Sequence, residues 1–184
     1  MAGNSPSDSA GTLYNHRYLL GLGATLLSLL TKSRFQPEFL FLSMGGLAIR
    51  FWAVGYLGDT KGRSRPEQII TGGPYRLIRH PLYLANGLIV LGLLLFLGVP
   101  SMIFTIIILG YLSIYTLFAG HEEKILIRYP DYPDYRKSVS PIIPRSIYKR
   151  PQGSFTVKKA MSDYPAVVAV ILVIIVAYLT RGVW

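Results

Sequence analysis

A short basic and aromatic segment, residues 72–83, holds the side chains with the clearest potential for chemistry. It contains Arg79 and His80 directly before Pro81, and a long apolar run follows. Proline suits the first turn of a helix, where its missing N–H would have no partner anyway. The start of a helix carries partial positive charge and attracts anions. Arg79 and His80 therefore predict a receptor for a carboxylate or a phosphate at a helix start.

A second polar group follows the next apolar run. Glu122 and Glu123 could bind an ammonium group or a sugar diol, while Tyr75, Tyr83 and Tyr132 offer ring faces to a base or a sulfonium cation. Together with the anion receptor, these groups match a ligand with a carboxylate, an ammonium, a ribose, an adenine and a sulfonium. S-adenosylmethionine is such a ligand. Solvated helix faces and interfacial tyrosines are the plainer interpretations of the same residues.

The composition indicates a membrane protein. Of the 184 residues, 51% are hydrophobic and 15% are charged, and the mean hydropathy is +0.40, whereas soluble domains carry about 25% charged residues. A membrane-spanning helix needs about 17–25 residues that are mostly apolar. We predict one all-α membrane domain over residues 1–184, with about five spans at residues 18–31, 38–58, 81–99, 101–119 and 164–180. The chain has no cysteine, and no cluster of residues predicts a metal site.

The distribution of positive charge predicts the orientation. With the N-terminus inside, 15 of the 19 lysines and arginines lie in inner segments and 3 in outer ones, while Arg50 falls within a span. Cytoplasmic segments are rich in these residues, so residues 59–80 and 121–163 are predicted to be cytoplasmic. Their basic side chains would attract anionic lipid headgroups, and no nucleic-acid-binding module is present. Arg50 either faces a partner or a cavity, or extends toward the inner surface.

Residues 98–100 are too few for anything but a tight turn between two spans. The spans 81–99 and 101–119 therefore form an antiparallel hairpin, whose free ends near residues 80 and 120 meet at the cytoplasmic face. This places the predicted cofactor pocket at the mouth of the hairpin. The run 121–129 is predicted to continue the helix until Pro130, with Tyr132 and Tyr135 in a short helix beyond it.

One stretch of the sequence resembles the signature of the isoprenylcysteine carboxyl methyltransferase family, which includes phospholipid methyltransferases: it reads I-I-T-x-G-P-Y-R-x-x-R-H-P-L-Y over residues 69–83. Residues 122–144 resemble the second conserved block of that family. The resemblance implies a multi-pass membrane enzyme that holds S-adenosylmethionine on the cytoplasmic side and takes a lipid substrate from the bilayer. Candidate catalytic residues are Arg79 and Glu123, and the implied cofactor-binding residues are Tyr75, His80, Pro81, Leu82, Tyr83 and Glu122.

The reaction implied by the resemblance is an in-line displacement of the sulfonium methyl group by an oxygen or nitrogen nucleophile. Members of the family carry an arginine one turn before the glutamates, and residues 117–121 contain none, so the acceptor stays open between a carboxylate and an amine. An amine would have to lose a proton, which Glu123 or His121 could accept. Two alternatives are an NADPH-dependent sterol-type membrane reductase and a non-catalytic, lipid-binding membrane scaffold. Oxidation of NADPH with a sterol would identify the first, and the intact run 80–83 argues against the second.

The charge distribution makes a prediction about topology. A cysteine introduced by Ser140→Cys should resist an impermeant thiol reagent added to intact cells, because residues 121–163 are predicted to be cytoplasmic. Val99→Cys, in the turn predicted to be outside, should be labelled and serves as the control. Native cysteines cannot interfere, because the chain has none. Labelling at position 140 from outside would show that the five-span arrangement is wrong.

Overall fold

A computed structural model describes residues 35–57 and 69–181 of the chain. Within these ranges the backbone forms helices and loops, and its one strand-like pairing is an isolated bridge between Ile78 and Ser140. This agrees with the predicted all-α fold. The predicted first span, 18–31, and residues 58–68 lie outside the described residues. The α-helices are α1 (Leu40–Leu57), α2 (Pro81–Phe96), α3 (Ser101–Leu126), α4 (Tyr132–Ser138), α5 (Val157–Met161) and α6 (Tyr164–Arg181).

Three segments are long and apolar enough to cross a membrane: Pro37–Leu57, which begins with a 3-10 turn before α1, Ser101–Leu126, and Val157–Leu179, which joins α5 to most of α6. Helix α2 is apolar but shorter, with 16 residues, and about 17 are needed for a span. It ends earlier than the predicted residue 99 because Gly98 adopts a positive φ of 59°. The chain is therefore an all-α membrane protein whose second described helix is shorter than the sequence indicated.

Helix α3 continues past its apolar part, as the sequence predicted. The expected helix ran from the span 101–119 through residues 121–129, and the structure has one helix of 26 residues that ends at Leu126. Residues 120–126 contain no proline, so nothing interrupts the helix after the apolar part ends. The same helix therefore carries both the apolar span and the glutamates of the second polar group.

Helices α1 and α2 approach each other closely through small residues. A Cβ atom on Gly46 would lie 2.6 Å from the carbonyl oxygen of Ala85, so only glycine fits this position. The hydroxyl of Ser43 donates a hydrogen bond of 3.1 Å to the carbonyl of Ile89 on α2. Small residues and hydroxyl hydrogen bonds are typical of helix contacts inside membranes. Helices α1 and α2 are thus packed closely against each other.

Helix α3 presents apolar side chains outward along most of its length. Large residues that are exposed on this helix include Met102, Ile106, Leu109, Leu112 and Leu117. Exposed apolar side chains of this number on a span are expected to contact lipid. The outer face of α3 is therefore expected to contact membrane lipids.

A buried ion pair joins α1 to the turn between α5 and α6. Arg50 is 3% exposed, and its Nε and Nη2 donate to the two carboxylate oxygens of Asp163, each over 2.7 Å. A further guanidinium nitrogen donates to the side-chain oxygen of Asn86 on α2. The sequence left two interpretations of Arg50. The structure supports the one in which Arg50 faces a partner within the fold. The sequence did not single out Asp163, which lies at the end of the long polar segment.

The ion pair generates a prediction about stability. Asp163→Asn should destabilise the protein by about 3–5 kcal/mol, because it leaves the Arg50 guanidinium buried without its charged partner. Arg50→Met combined with Asp163→Leu should be more stable than Asp163→Asn, because no buried charge remains. Thermal unfolding in detergent measures both. The exposed Asp131→Asn is the control, and equal melting temperatures for Asp131→Asn and Asp163→Asn would contradict the prediction.

Candidate functional site

The loop that follows α4 holds the backbone of Arg79 and His80 in place. The amide of Arg79 donates to the carbonyl of Ser140 over 2.9 Å, and the amide of His80 donates to the carbonyl of Pro141 over 3.1 Å. Arg79 and His80 are therefore held by backbone hydrogen bonds to a segment that lies about sixty residues later in the chain. This pairing presents His80 at the start of α2.

The turn before this pairing depends on glycine. Gly73 opens a short 3-10 helix, Gly73–Arg76, with a φ of 56°. A Cβ atom at this position would lie 2.3 Å from a ring carbon of Tyr56 on α1. Both the backbone conformation and the contact therefore require glycine. These two constraints explain why the segment 72–83 has glycine at position 73.

Tyr75, a predicted cofactor residue, is buried in this short helix. Its carbonyl accepts a hydrogen bond of 2.8 Å from the hydroxyl of Tyr135 on α4. Burial raises the pKa of Tyr135 above its ordinary value, with a further contribution from Tyr132, so the hydroxyl stays protonated and remains a donor. In the structure Tyr75 thus links the basic segment to α4.

His80 joins the two ends of the predicted hairpin. It is 4% exposed; its Nε2 lies 3.3 Å from Oε1 of Glu123, and its Nδ1 lies 3.5 Å from Oε2 of Glu122. Both glutamates belong to the last turns of α3. The sequence predicted that the start of α2 and the end of α3 meet, and these contacts confirm that they do. Pro81 is buried and Leu82 half-buried in the first turn that follows.

The two glutamates occupy different environments. Oε1 of Glu123 lies 3.1 Å from Nη2 of Arg79, and Oε2 lies 3.1 Å from Nε of Arg136 on α4. The side chain of Glu123 is 16% exposed, whereas that of Glu122 is 50% exposed. Glu123 is therefore held by cations from two elements, while Glu122 is accessible to a ligand. Arg136 was not predicted as a site residue. Its position directly after Tyr135 was the only sequence feature that could have indicated it.

Aromatic rings line the side of His80 that faces α3. The ring centroid of His80 lies 5.6 Å from that of Tyr83 and 6.3 Å from that of Tyr115. The two tyrosine rings meet edge to face, with centroids 5.2 Å apart. Sequence reasoning missed Tyr115, although it precedes Glu122 by seven residues and thus lies on the same face of α3. That spacing could have identified it.

Four buried polar atoms near these residues have no hydrogen-bond partner in the described part of the chain: Nε and Nη1 of Arg79, and the hydroxyl oxygens of Tyr115 and Tyr132. Buried polar atoms are nearly always paired, so several unpaired ones together need an explanation. Burial, followed by the charge of Glu123, raises the pKa of Tyr132 to about 12. Its hydroxyl is therefore protonated at neutral pH and can donate. These atoms are suited to a bound ligand with acceptor groups.

His121, the other candidate proton acceptor, is exposed on α3. Across residues 35–57 and 69–181, no three histidine, aspartate or glutamate side chains are grouped as metal ligands. The described site brings together the charged side chains of Arg79, His80, Glu122 and Glu123 and the rings of Tyr83 and Tyr115.

Two curated proteins are similar to this chain in sequence. The cobalt-zinc-cadmium resistance protein CzcN of Cupriavidus metallidurans is 29% identical over 130 residues, which are 66% of this chain and 56% of that protein. The nickel-cobalt-cadmium resistance protein NccN of Alcaligenes xylosoxydans xylosoxydans is 26% identical over 174 residues, which are 85% of this chain and 77% of that protein. The chain thus spans little more than half the length of CzcN. No solved structure matches it significantly.

A family model described as phospholipid methyltransferase matches residues 38–129. The match begins just before α1, covers α2 and α3, and ends after the last turn of α3. It therefore includes the basic segment, the hairpin and both glutamates, whereas α4 with Arg136 lies beyond it. The chain belongs to the phospholipid methyltransferase family.

Proposed function

We propose that this protein transfers a methyl group from S-adenosylmethionine to a lipid or lipidated acceptor at the cytoplasmic surface of the membrane. The observation that carries the proposal is the contact of His80 with Glu122 and Glu123, beside buried donors that have no partner among the described residues. Family membership supports methyl transfer as the reaction, and the apolar helices support an acceptor that arrives through the bilayer.

The residues present fit the proposed cofactor. The start of α2 would hold its carboxylate, because a helix start favours an anion. His80, whose ring nitrogens lie 3.5 Å from Glu122 and 3.3 Å from Glu123, would orient these glutamates. Glu122, half of whose side chain is exposed, would accept hydrogen bonds from its ammonium group or ribose hydroxyls. The hydroxyls of Tyr115 and Tyr132, unpaired in the described residues, would donate to its remaining acceptors. When bound, S-adenosylmethionine supplies an electrophilic methyl group on a sulfonium sulfur.

We assign Glu123 mainly to holding Arg79 and Arg136 in place, because each of its oxygens lies near a guanidinium nitrogen. A carboxylate acceptor needs no base, whereas an amine acceptor must lose a proton, and Glu123 or the exposed His121 would take it. Most of the rate acceleration would come from fixing the nucleophile in line with the methyl group, which can contribute about 7–11 kcal/mol. The metal resistance in the names of CzcN and NccN describes those proteins and adds no residue to this site.

The first prediction concerns the cofactor itself. Detergent-purified protein should bind S-adenosylmethionine and its product S-adenosylhomocysteine, and His80→Ala should weaken this binding by about tenfold or more, because Glu122 would lose the ring nitrogen that orients it. Calorimetric titration measures both ligands, with His121→Ala as the matched control. Folded wild-type protein that bound neither ligand would exclude the proposed cofactor.

The second prediction separates the two glutamates. Glu122→Gln should raise the dissociation constant of S-adenosylhomocysteine by about tenfold to a hundredfold, because a charged hydrogen bond contributes about 1.5–3 kcal/mol. Glu123→Gln should bind the cofactor with nearly normal affinity but lower the melting temperature, because Arg79 would lose its charged partner. Titration and thermal unfolding of both variants test this. The reverse pattern of affinities would exchange the two roles.

A further inference from the structure

A connector without regular secondary structure, residues 148–156, leads from the loop after α4 to α5. It lies across the start of the basic segment. The amides of Thr71 and Gly72 both donate to the carbonyl of Gln152, over 3.2 and 2.8 Å. The connector therefore holds the backbone of the chain directly before the 3-10 turn that contains Tyr75.

The connector contacts the basic segment a second time at Arg76. The amide of Tyr148 donates to the carbonyl of Arg76, and Nε of Arg76 donates to the carbonyl of Tyr148, each over 3.0 Å. Between the two places of contact, the regular structure is limited to the short 3-10 helix Gly73–Arg76. So short a helix has little stability of its own, and its conformation depends on these contacts.

The connector is itself attached to α1. The amide of Thr156 donates to the carbonyl of Gly55 over 3.0 Å. A Cβ atom on Gly55 would lie 2.1 Å from a ring carbon of Phe155, so the ring packs directly on the backbone of α1. The connector thus joins the basic segment to a helix that packs closely against α2.

The side chain of Thr71 adds two hydrogen bonds to the first place of contact. Its hydroxyl donates to the carbonyl of Arg150 over 3.2 Å and accepts from the amide of Gln152 over 2.8 Å. Thr71 is 1% exposed, and a buried polar group that loses its partner is costly. The position therefore requires a hydroxyl that both donates and accepts, which serine supplies and valine does not.

We propose that Thr71 is a positioning residue: with the connector 148–156, it holds the chain that leads to Arg79 and His80 in its binding conformation before the methyl donor arrives. The backbone of Arg79 and His80 is held by the loop after α4, so the stretch 71–80 is fixed at both ends by later parts of the chain. A loop ordered in advance need not be ordered on binding, which strengthens binding. This inference rests on the proposed function and extends the proposed site beyond the residues that match the family model.

Hydrogen–deuterium exchange on the full-length protein in detergent tests the arrangement without any ligand. In the wild type, the amides of residues 75–80 should exchange at least about tenfold more slowly than in an unstructured peptide of the same sequence. Thr71→Val should accelerate their exchange by about tenfold, because local opening becomes easier. Thr71→Ser should behave like the wild type. Wild-type amides at 75–80 that exchange as fast as the peptide would overturn the proposal.

Calorimetric titration with S-adenosylhomocysteine is the second readout, at a temperature at which every variant is folded. Thr71→Val should raise the dissociation constant by about tenfold, because the apparent constant rises as the fraction of competent molecules falls. Thr71→Ser should restore the wild-type value. The matched control is Ser43→Ala, which removes another buried hydroxyl, the one that donates to the carbonyl of Ile89. It should lower the melting temperature without changing the affinity or the exchange at 75–80.

The outcomes separate a positioning role from a purely local one. Acceleration of exchange confined to residues 71, 72 and 152, or equal affinity in Thr71→Val and Ser43→Ala, would overturn the positioning role. If Thr71→Val does not fold, Thr71→Ala replaces it, since it removes the same two bonds. Wild-type protein whose amides at 75–80 are protected but which binds no S-adenosylhomocysteine would contradict the proposed function alone.

Discussion

The carboxylate of Glu123 joins three parts of the chain that are distant in sequence. It lies within 3.3 Å of Nε2 of His80 at the start of α2, and its oxygens each lie 3.1 Å from an arginine nitrogen, one on the basic segment and one on α4. The three partners belong to different elements: His80 to the start of α2, Arg79 to the segment before it, and Arg136 to α4. One carboxylate therefore fixes these elements relative to one another.

The polar end of α3, residues 120–126, contributes to the same arrangement, because it carries both glutamates. Most of this helix is apolar and exposed, whereas its last turns carry Glu122 and Glu123. A single rigid helix therefore connects the surface along which lipids move with the residues that hold the proposed site. A loop at the same place would leave the distance between lipid and site variable. Because residues 120–126 contain no proline, the helix continues from its apolar part to the two glutamates.

The sequence was informative where local spacing determines the structure. The tight turn at residues 98–100 sufficed to predict that the start of α2 meets the end of α3, and the contacts of His80 agree. The different environments of Glu122 and Glu123 could not be predicted, because Arg136 reaches Glu123 only through the packing of α4. The pairing of Arg50 with Asp163 was also inaccessible, since the two lie 113 residues apart. Tyr115, by contrast, precedes Glu122 by seven residues on α3, and this spacing could have identified it.

That separation of Arg50 from Asp163 has a consequence for how the chain is made. A ribosome that has delivered α1 to the membrane has yet to synthesise the residue that neutralises Arg50. Throughout the insertion of α2 and α3, the guanidinium must stay hydrated at the surface or rely on Asn86, because a lone charge in hydrocarbon is costly. The ion pair that fixes α1 can therefore form only when the chain has been made as far as Asp163. A nascent chain that stops before this residue carries a cation in α1 without its charged partner.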